Sequence, residues 1–306
     1  MIIAVASGKG GTGKTTVAVS LALSLAADAQ EAADLLFLDC DVEEPNAHLL
    51  LKPTIRRREK VSIPIPVVDE ARCTRCSRCA AVCQYHAIVV LPGKVLVFAE
   101  LCHGCGGCTL ACPEKAIGEM PHVIGVIEEG AAGPIRFARG VLNVGEPMPG
   151  PIIRQLKRRI PAEGACPEPF PERSEWGSEG LTILDAPPGT ACPVVETVRG
   201  ADFCLLVTEP TPFGLHDLRL AVDVCRQLGV PAGVVVNRDG VGDRGVDGFC
   251  ATEGIPILLR IPLDRRIAEA YAEGVPLVTV RLKYLQRFTD LYRQILAIRR
   301  AQKPPE

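Results

Sequence analysis

Between a short apolar run, Met1–Ala6, and an apolar stretch of helical period that begins at Lys14 lies Gly8-Lys9-Gly10-Gly11-Thr12-Gly13-Lys14-Thr15. The segment satisfies G-x-x-x-x-G-K-[ST] at every constrained position. It also has the strand–loop–helix context that gives the pattern its mechanism. Glycines let backbone N–H groups curl around anionic oxygens, and the N-terminus of the following helix favours negative charge. The loop Gly8, Lys9, Gly10, Gly11, Thr12, Gly13 is therefore a candidate phosphate cradle. Lys14 is placed to reach β/γ-phosphates, the Thr15 hydroxyl to ligate Mg²⁺, and the Thr16 hydroxyl to donate to an α-phosphate.

The remaining chain continues the α/β alternation that such a loop requires. Apolar runs at Leu35–Leu38, Val123–Ile127, Leu181–Leu184, Phe203–Val207, Gly233–Val236 and Ile257–Ile261 read as buried strands. Helical patterns at Ile152–Arg159, Val194–Arg199, Leu215–Leu228 and Arg265–Glu273 alternate with them. This predicts an α/β fold with a doubly wound, mostly parallel sheet. Two segments break the pattern. Residues 60–119 read as an inserted small α+β domain, leaving 1–59 and 120–306 as the parent domain, with Arg56–Lys60 as a charged hinge. Pro161–Gly180, rich in Pro, Glu, Gly and Ser and holding the sole tryptophan, Trp176, reads as a surface insertion.

The chain of 306 residues is 47% hydrophobic, which excludes global disorder. A net charge of −2 argues against a general nucleic-acid binder. The N-terminal residues lack a basic leader, and the weakly polar run Val17–Ala27 is too short to span a membrane. A cytoplasmic protein with reduced thiols is the expectation.

Phosphate chemistry also needs carboxylates at the carboxyl ends of strands, where ligands bind in open α/β sheets. Asp39 and Asp41 close the second strand, and Asp185 closes the strand at Leu181–Leu184. Asp185 is assigned to the Mg²⁺ water shell, Asp41 to the attacking water, and Asp39 to support of the magnesium shell.

Eight of the 14 cysteines lie between Cys73 and Cys112. Cys73-x₂-Cys76-x₂-Cys79-x₃-Cys83 is repeated 29 residues later as Cys102-x₂-Cys105-x₂-Cys108-x₃-Cys112-Pro113. This is the spacing of bacterial two-cluster ferredoxins, in which the fourth cysteine of each run ligates the other cluster. Cys73, Cys76, Cys79 and Cys112 are thus expected on one [4Fe–4S] cluster, and Cys102, Cys105, Cys108 and Cys83 on the other. Zinc is the main alternative, but its Cys₄ sites are typically built from two separated C-x₂₋₄-C pairs. Gln84 stands where the second run has Pro113, which predicts a shifted potential. Ala87–Val90 and Val95–Phe98 flank Pro92-Gly93 as a short hairpin.

The extra lysine in Lys9-Gly10-Gly11-Thr12-Gly13-Lys14-Thr15-Thr16 resembles the deviant Walker A motif of the MinD/ParA/Mrp family, to which the nitrogenase iron protein is related. Leu38-Asp39-Cys40-Asp41, Asp185-Ala186-Pro187-Pro188-Gly189-Thr190, Val236-Asn237-Arg238 and Ile261-Pro262-Leu263-Asp264 are similar to that family as well. The resemblance implies a P-loop ATPase using ATP/ADP and Mg²⁺, with Lys9 reaching the partner's phosphates in an ATP-bound homodimer. It further implies that Asn237 contacts adenine and that the loop at Pro262 closes over the base.

Cys40, Cys204 and Cys225 read as small buried hydrophobes, Cys166 as part of the foreign loop, and Cys250 as lying near a surface turn. Cys192 follows Asp185 by seven residues, similar to a cluster-bridging cysteine of the nitrogenase iron protein, although a second such cysteine has no counterpart, and on its own Cys192 reads as a packing thiol. In the tail, Leu282, Leu285, Phe288, Tyr292, Ile295 and Leu296 recur at helical spacing and predict a final helix docked on the sheet, although MinD uses such a helix at membranes. Three functions follow as expectations: an ATP-driven homodimer cycle that gates electron transfer or redox-partner docking, an iron–sulfur carrier serving apo client proteins as Mrp-like relatives do, and an ATP-switched positioning module.

Overall fold

The computed structural model describes residues 1–28, 34–161 and 180–302. Cys166, Trp176 and nearly all of the expected Pro161–Gly180 insertion lie outside the described residues. The strands are β1 (Ile2–Ala6), β2 (Leu35–Asp39), β3 (Thr54–Val68), β4 (Ile88–Leu91), β5 (Lys94–Val97), β6 (Ile117–Ala132), β7 (Ile135–Leu142), β8 (Leu181–Asp185), β9 (Phe203–Thr208), β10 (Ala232–Asp239) and β11 (Ile257–Pro262). Nine of them form one sheet in the order β11-β10-β9-β1-β8-β2-β7-β6-β3. The seven from β11 to β7 are parallel, and β6 and β3 extend one edge in antiparallel fashion. β1 lies between β8 and β9, so the loop that leaves it opens at the point where the winding reverses.

Both faces of the parallel region are covered, which is why its strands are apolar throughout. Ile3 and Val5 of β1 face one way, into a core shared with Leu21 and Leu25 of helix Lys14–Ala27 and with Tyr284, Phe288 and Leu291 of helix Lys283–Gln302. Ala4 and Ala6 face the other way, toward Ile152, Val194, Leu218 and Val222. The small alanines on that face leave room for three helices, Gly150–Lys157, Cys192–Val198 and Pro212–Gln227. The tail therefore docks as expected: Phe288, Leu291 and Ile295 are fully buried, and Leu282 stays exposed outside the helix.

The antiparallel edge differs from the sequence expectation. Arg56–Lys60 forms no hinge; it lies inside β3, which pairs with β6 from Thr54↔Ala131 to Val68↔Ile117. The seams expected at 59/60 and 119/120 fall within these two strands. The two-stranded arm carries residues 69–116 at its far end. Ion pairs clamp it on both faces: Arg139 to Glu128 at 2.7 Å, and Arg159 to Glu59 at 2.5 Å and to Glu129 at 2.7 Å. β7 was not foreseen. Cys250, expected near a surface turn, lies one turn before the Gly254 cap of helix Gly245–Glu253 but is only 2% exposed.

Candidate functional site

The loop after β1 is held by contacts that tolerate little change. A Cβ on Gly8 would lie 2.2 Å from the Asp217 carbonyl oxygen, so helix Pro212–Gln227 excludes any side chain there. Gly13 has φ 91°, the left-handed conformation that glycine adopts without strain, and starts helix Lys14–Ala27. Lys14 and Thr15 are each only 7% exposed. The hydroxyl of Thr12 is buried with no hydrogen-bond partner among the described residues. Asn237, at the end of β10, donates from Nδ2 to the Thr12 carbonyl at 2.7 Å, tying the loop to the far side of the sheet. Pro262, the last residue of β11, is exposed at the same carboxyl edge.

Three carboxylates converge on this loop from β2 and β8. Asp39 and Asp185 are in register across the two strands, and both are fully buried. Burial raises the Asp185 carboxyl to about 7, while the Thr15 hydroxyl and the Lys14 ammonium pull in the other direction. Neither Asp185 oxygen completes a hydrogen bond among the described residues. An unpartnered buried carboxylate beside a threonine hydroxyl is a set of hard oxygen donors that fits a hydrated Mg²⁺. Asp41 is raised to about 6, again chiefly by burial and again opposed by Lys14. Asp39 is pushed well above the carboxylate range by burial and by the Asp185 charge. Its oxygens accept from the N–H groups of Asp41 (3.2 Å) and Ala47 (3.0 Å), so it organises the loop that carries Asp41.

Sequence reasoning missed one carboxylate. Glu209 follows β9, and its side chain is 10% exposed. It pairs with Lys9 at 3.2 Å through one oxygen and with Arg238 at 2.5 Å through the other. The same signal that singled out Asp39 and Asp185, an acid closing an apolar strand, was present in Phe203–Thr208 followed by Glu209.

The eight cysteines gather in two sets. Cys73, Cys76, Cys79 and Cys112 line one cavity of about 360 Å³, its open mouth included. Cys83, Cys102, Cys105 and Cys108 line a second of about 450 Å³, against Pro64 and Pro66 of β3. These are the interleaved sets that the spacing predicts. The backbone repeats with the sequence: Arg75 and Gly104, Ser77 and Gly106, His86 and Lys115 are pairs 29 residues apart, and all have positive φ. Helices Arg78–Val82 and Gly107–Ala111 follow the matched turns. The N–H groups of Ala87 and Ala116 donate to the sulfurs of Cys83 and Cys112, each at 3.3 Å. β4 and β5 form the expected hairpin. Among the described residues, no three His, Cys, Asp or Glu side chains converge on a single point as one metal ion would require.

The CobQ/CobB/MinD/ParA nucleotide binding domain family matches residues 3–277. The chain belongs to this family. It is a P-loop ATPase of the MinD/ParA type, in agreement with the loop and carboxylates described above. An uncharacterized protein of Methanocaldococcus jannaschii is 30% identical over 285 residues, covering 90% of each chain. An iron–sulfur cluster carrier protein of the same organism is 25% identical over 252 residues, 69% of this chain and 84% of that one. MinD from Pyrococcus horikoshii, solved with Mg-ADP, shares the fold, with a TM-score of 0.55 and 20% identity across 96% of this chain and 95% of the other. No helix among the described residues is long and apolar enough to cross a membrane.

Proposed function

We propose that this MinD/ParA-type ATPase is an iron–sulfur protein in which residues 69–116, carried at the end of the β3–β6 arm, form a ferredoxin-like insert. In this reading the insert holds two [4Fe–4S] clusters, and an ATP-driven homodimer cycle gates their electron transfer or the docking of a redox partner. The observation that carries it is the sorting of the eight thiols around two cavities. A mononuclear zinc site has Zn–S bonds of about 2.3 Å, which bring tetrahedral sulfurs to within about 4 Å of one another. Among the described residues no three potential ligands converge in that way, and each set of four thiols lines one cavity, the ligand number of a [4Fe–4S] cluster. Each cluster would supply one-electron chemistry, with its potential tuned by N–H donors such as those of Ala87 and Ala116. The interleaving favours resident clusters over cargo, because each set draws thiols from both runs and release of either would disturb both.

On the nucleotide side, Lys14 and the loop N–H groups bind the phosphates of ATP or ADP. Thr15 and Asp185 hold hydrated Mg²⁺, Asp41 orients the attacking water, and Lys9 engages the partner's phosphates. Asn237 and the Pro262 loop serve the adenine end.

A second reading, a carrier delivering clusters to apo client proteins, draws on the carrier relatives and on Cys192, which is exposed at the start of helix Cys192–Val198. The positioning-module reading finds less support, because the apolar face of the tail helix is spent in the core.

Lys14→Ala tests the division of labour. It is expected to reduce ATP turnover at least about a hundredfold while retaining two [4Fe–4S] clusters' worth of iron and acid-labile sulfide per chain. Loss of iron in that variant, or a wild-type chain that binds zinc stoichiometrically under anaerobic reconstitution with iron and sulfide, overturns the reading. Chelator-labile iron beyond those clusters, transferred to an apo-protein and lost in Cys192→Ala, favours the carrier instead.

A further inference from the structure

The contact that stands out beyond these roles is the one Glu209 makes. The carboxylate lies at the carboxyl end of β9, beside β1 and its loop. One oxygen takes the Lys9 ammonium at 3.2 Å, and the other takes Arg238 at 2.5 Å. Glu209 is nearly buried, whereas Lys9 and Arg238 keep 32% and 52% of their side-chain surface in solvent. The anion is therefore fixed, and the two cations compete for it from the rim. Its position is rigid: the next residue, Pro210, accepts from the Asp243 N–H through its carbonyl, and a Cβ on Gly242 would lie 2.0 Å from that same oxygen. Arg238 is also held, at φ 53°, a conformation that non-glycine residues adopt at a cost.

We propose that Glu209 is a positioning residue that holds Lys9 against its own subunit, so that Lys9 is released to the partner's phosphates only when bound nucleotide outcompetes the carboxylate. This rests on the homodimer reading given above. The Lys9–Glu209 pair is a local counter-ion arrangement, and dimer closure exchanges a carboxylate partner for a phosphate one. Arg238 sets the balance. It neutralises part of the Glu209 charge and so weakens the hold on Lys9.

Two substitutions separate this role from a structural one, because they act in opposite directions. The nucleotide-dependent monomer–dimer transition is followed by sedimentation while a non-hydrolysable ATP analogue is titrated with Mg²⁺. Glu209→Gln is expected to lower the analogue concentration at the dimer midpoint about tenfold. Arg238→Gln, which leaves Glu209 with Lys9 as its one ion-pair partner among the described residues, is expected to raise it severalfold. A merely structural role would destabilise both variants and move both midpoints the same way. Equal midpoints in wild type and both variants, or shifts of the same sign, overturn the latch while leaving the dimer reading intact. A wild-type chain that remains monomeric at saturating analogue overturns the dimer reading, and the latch falls with it.

Discussion

The parallel sheet and the cysteine lobe are stabilised by different means, although one continuous antiparallel arm joins them. The sheet is sealed on one face by side chains such as Ile3, Phe37 and Phe288 and on the other by Ile152, Leu184 and Val234, all fully buried. In the lobe, the buried apolar cluster consists of Cys79, Ile88 and Ile117, with partly buried neighbours around it. Leu91, Phe98, Leu101 and Leu110 stay exposed. So small an apolar cluster does little to offset the ordering entropy of the segment, and chains of about this size commonly rely on a staple or a metal centre. One region is thus ordered by its core, and in our reading the other is ordered by what its thiols hold.

Removing the metal breaks this contrast most sharply. After anaerobic chelation of iron, amide exchange across residues 69–116 is expected to rise by about a hundredfold or more, while β1, β2, β8 and β9 keep their protection. Equal protection in both regions with and without iron would mean that the lobe is ordered by packing alone. Truncation in the sheet's core is the complementary test. Phe288→Ala, at a fully buried site against helix Lys14–Ala27, is expected to cost about 3–5 kcal/mol in chemical denaturation and leave the iron content unchanged.

The pH dependence of the nucleotide region sharpens the contrast from the other side. Asp185 is held at about 7 and Asp41 at about 6, both above the ordinary carboxylate value of 3.8. An acid whose folded pKa is raised binds protons in the native state that the unfolded chain has already lost. Nucleotide-free stability therefore falls as pH rises from about 4 to about 7, and flattens above that. Thermal unfolding between pH 4.5 and 8 checks the slope, and Asp185→Asn is expected to reduce it. Mg²⁺ is expected to stabilise the protein more at pH 8 than at pH 5, because its water shell favours the ionised carboxylates.

Sequence pattern exposed most of both sites, because each rests on spacing that local chemistry enforces. The glycines at 8 and 13 answer to a close backbone approach and a positive φ, and the paired cysteine runs reappear as paired turns. What it hid was tertiary. β3 carries Arg56, Arg57, Arg58, Pro64 and Pro66, which read as a breaker, yet it is an edge strand, where charges and prolines are tolerated and discourage further pairing. β7, with Arg136, Arg139 and Gly140 between its apolar residues, has too irregular an alternation to stand out. The burial of Cys250 is hidden because its glycine-rich flanks mask a short helix. Glu209 had a local signal, but its partners lie at residues 9 and 238, and no sequence window joins them.

The central claim is that nucleotide site and thiol-bound clusters act as one device. Binding linkage is reciprocal, so clusters whose potential responds to nucleotide must in turn alter nucleotide affinity. The direct measurement is the affinity for an ATP analogue with Mg²⁺ in matched oxidised and dithionite-reduced samples of the intact protein. Our account predicts affinities that differ by about fivefold or more between the two redox states. Identical affinities, at full iron occupancy in both samples, would contradict it.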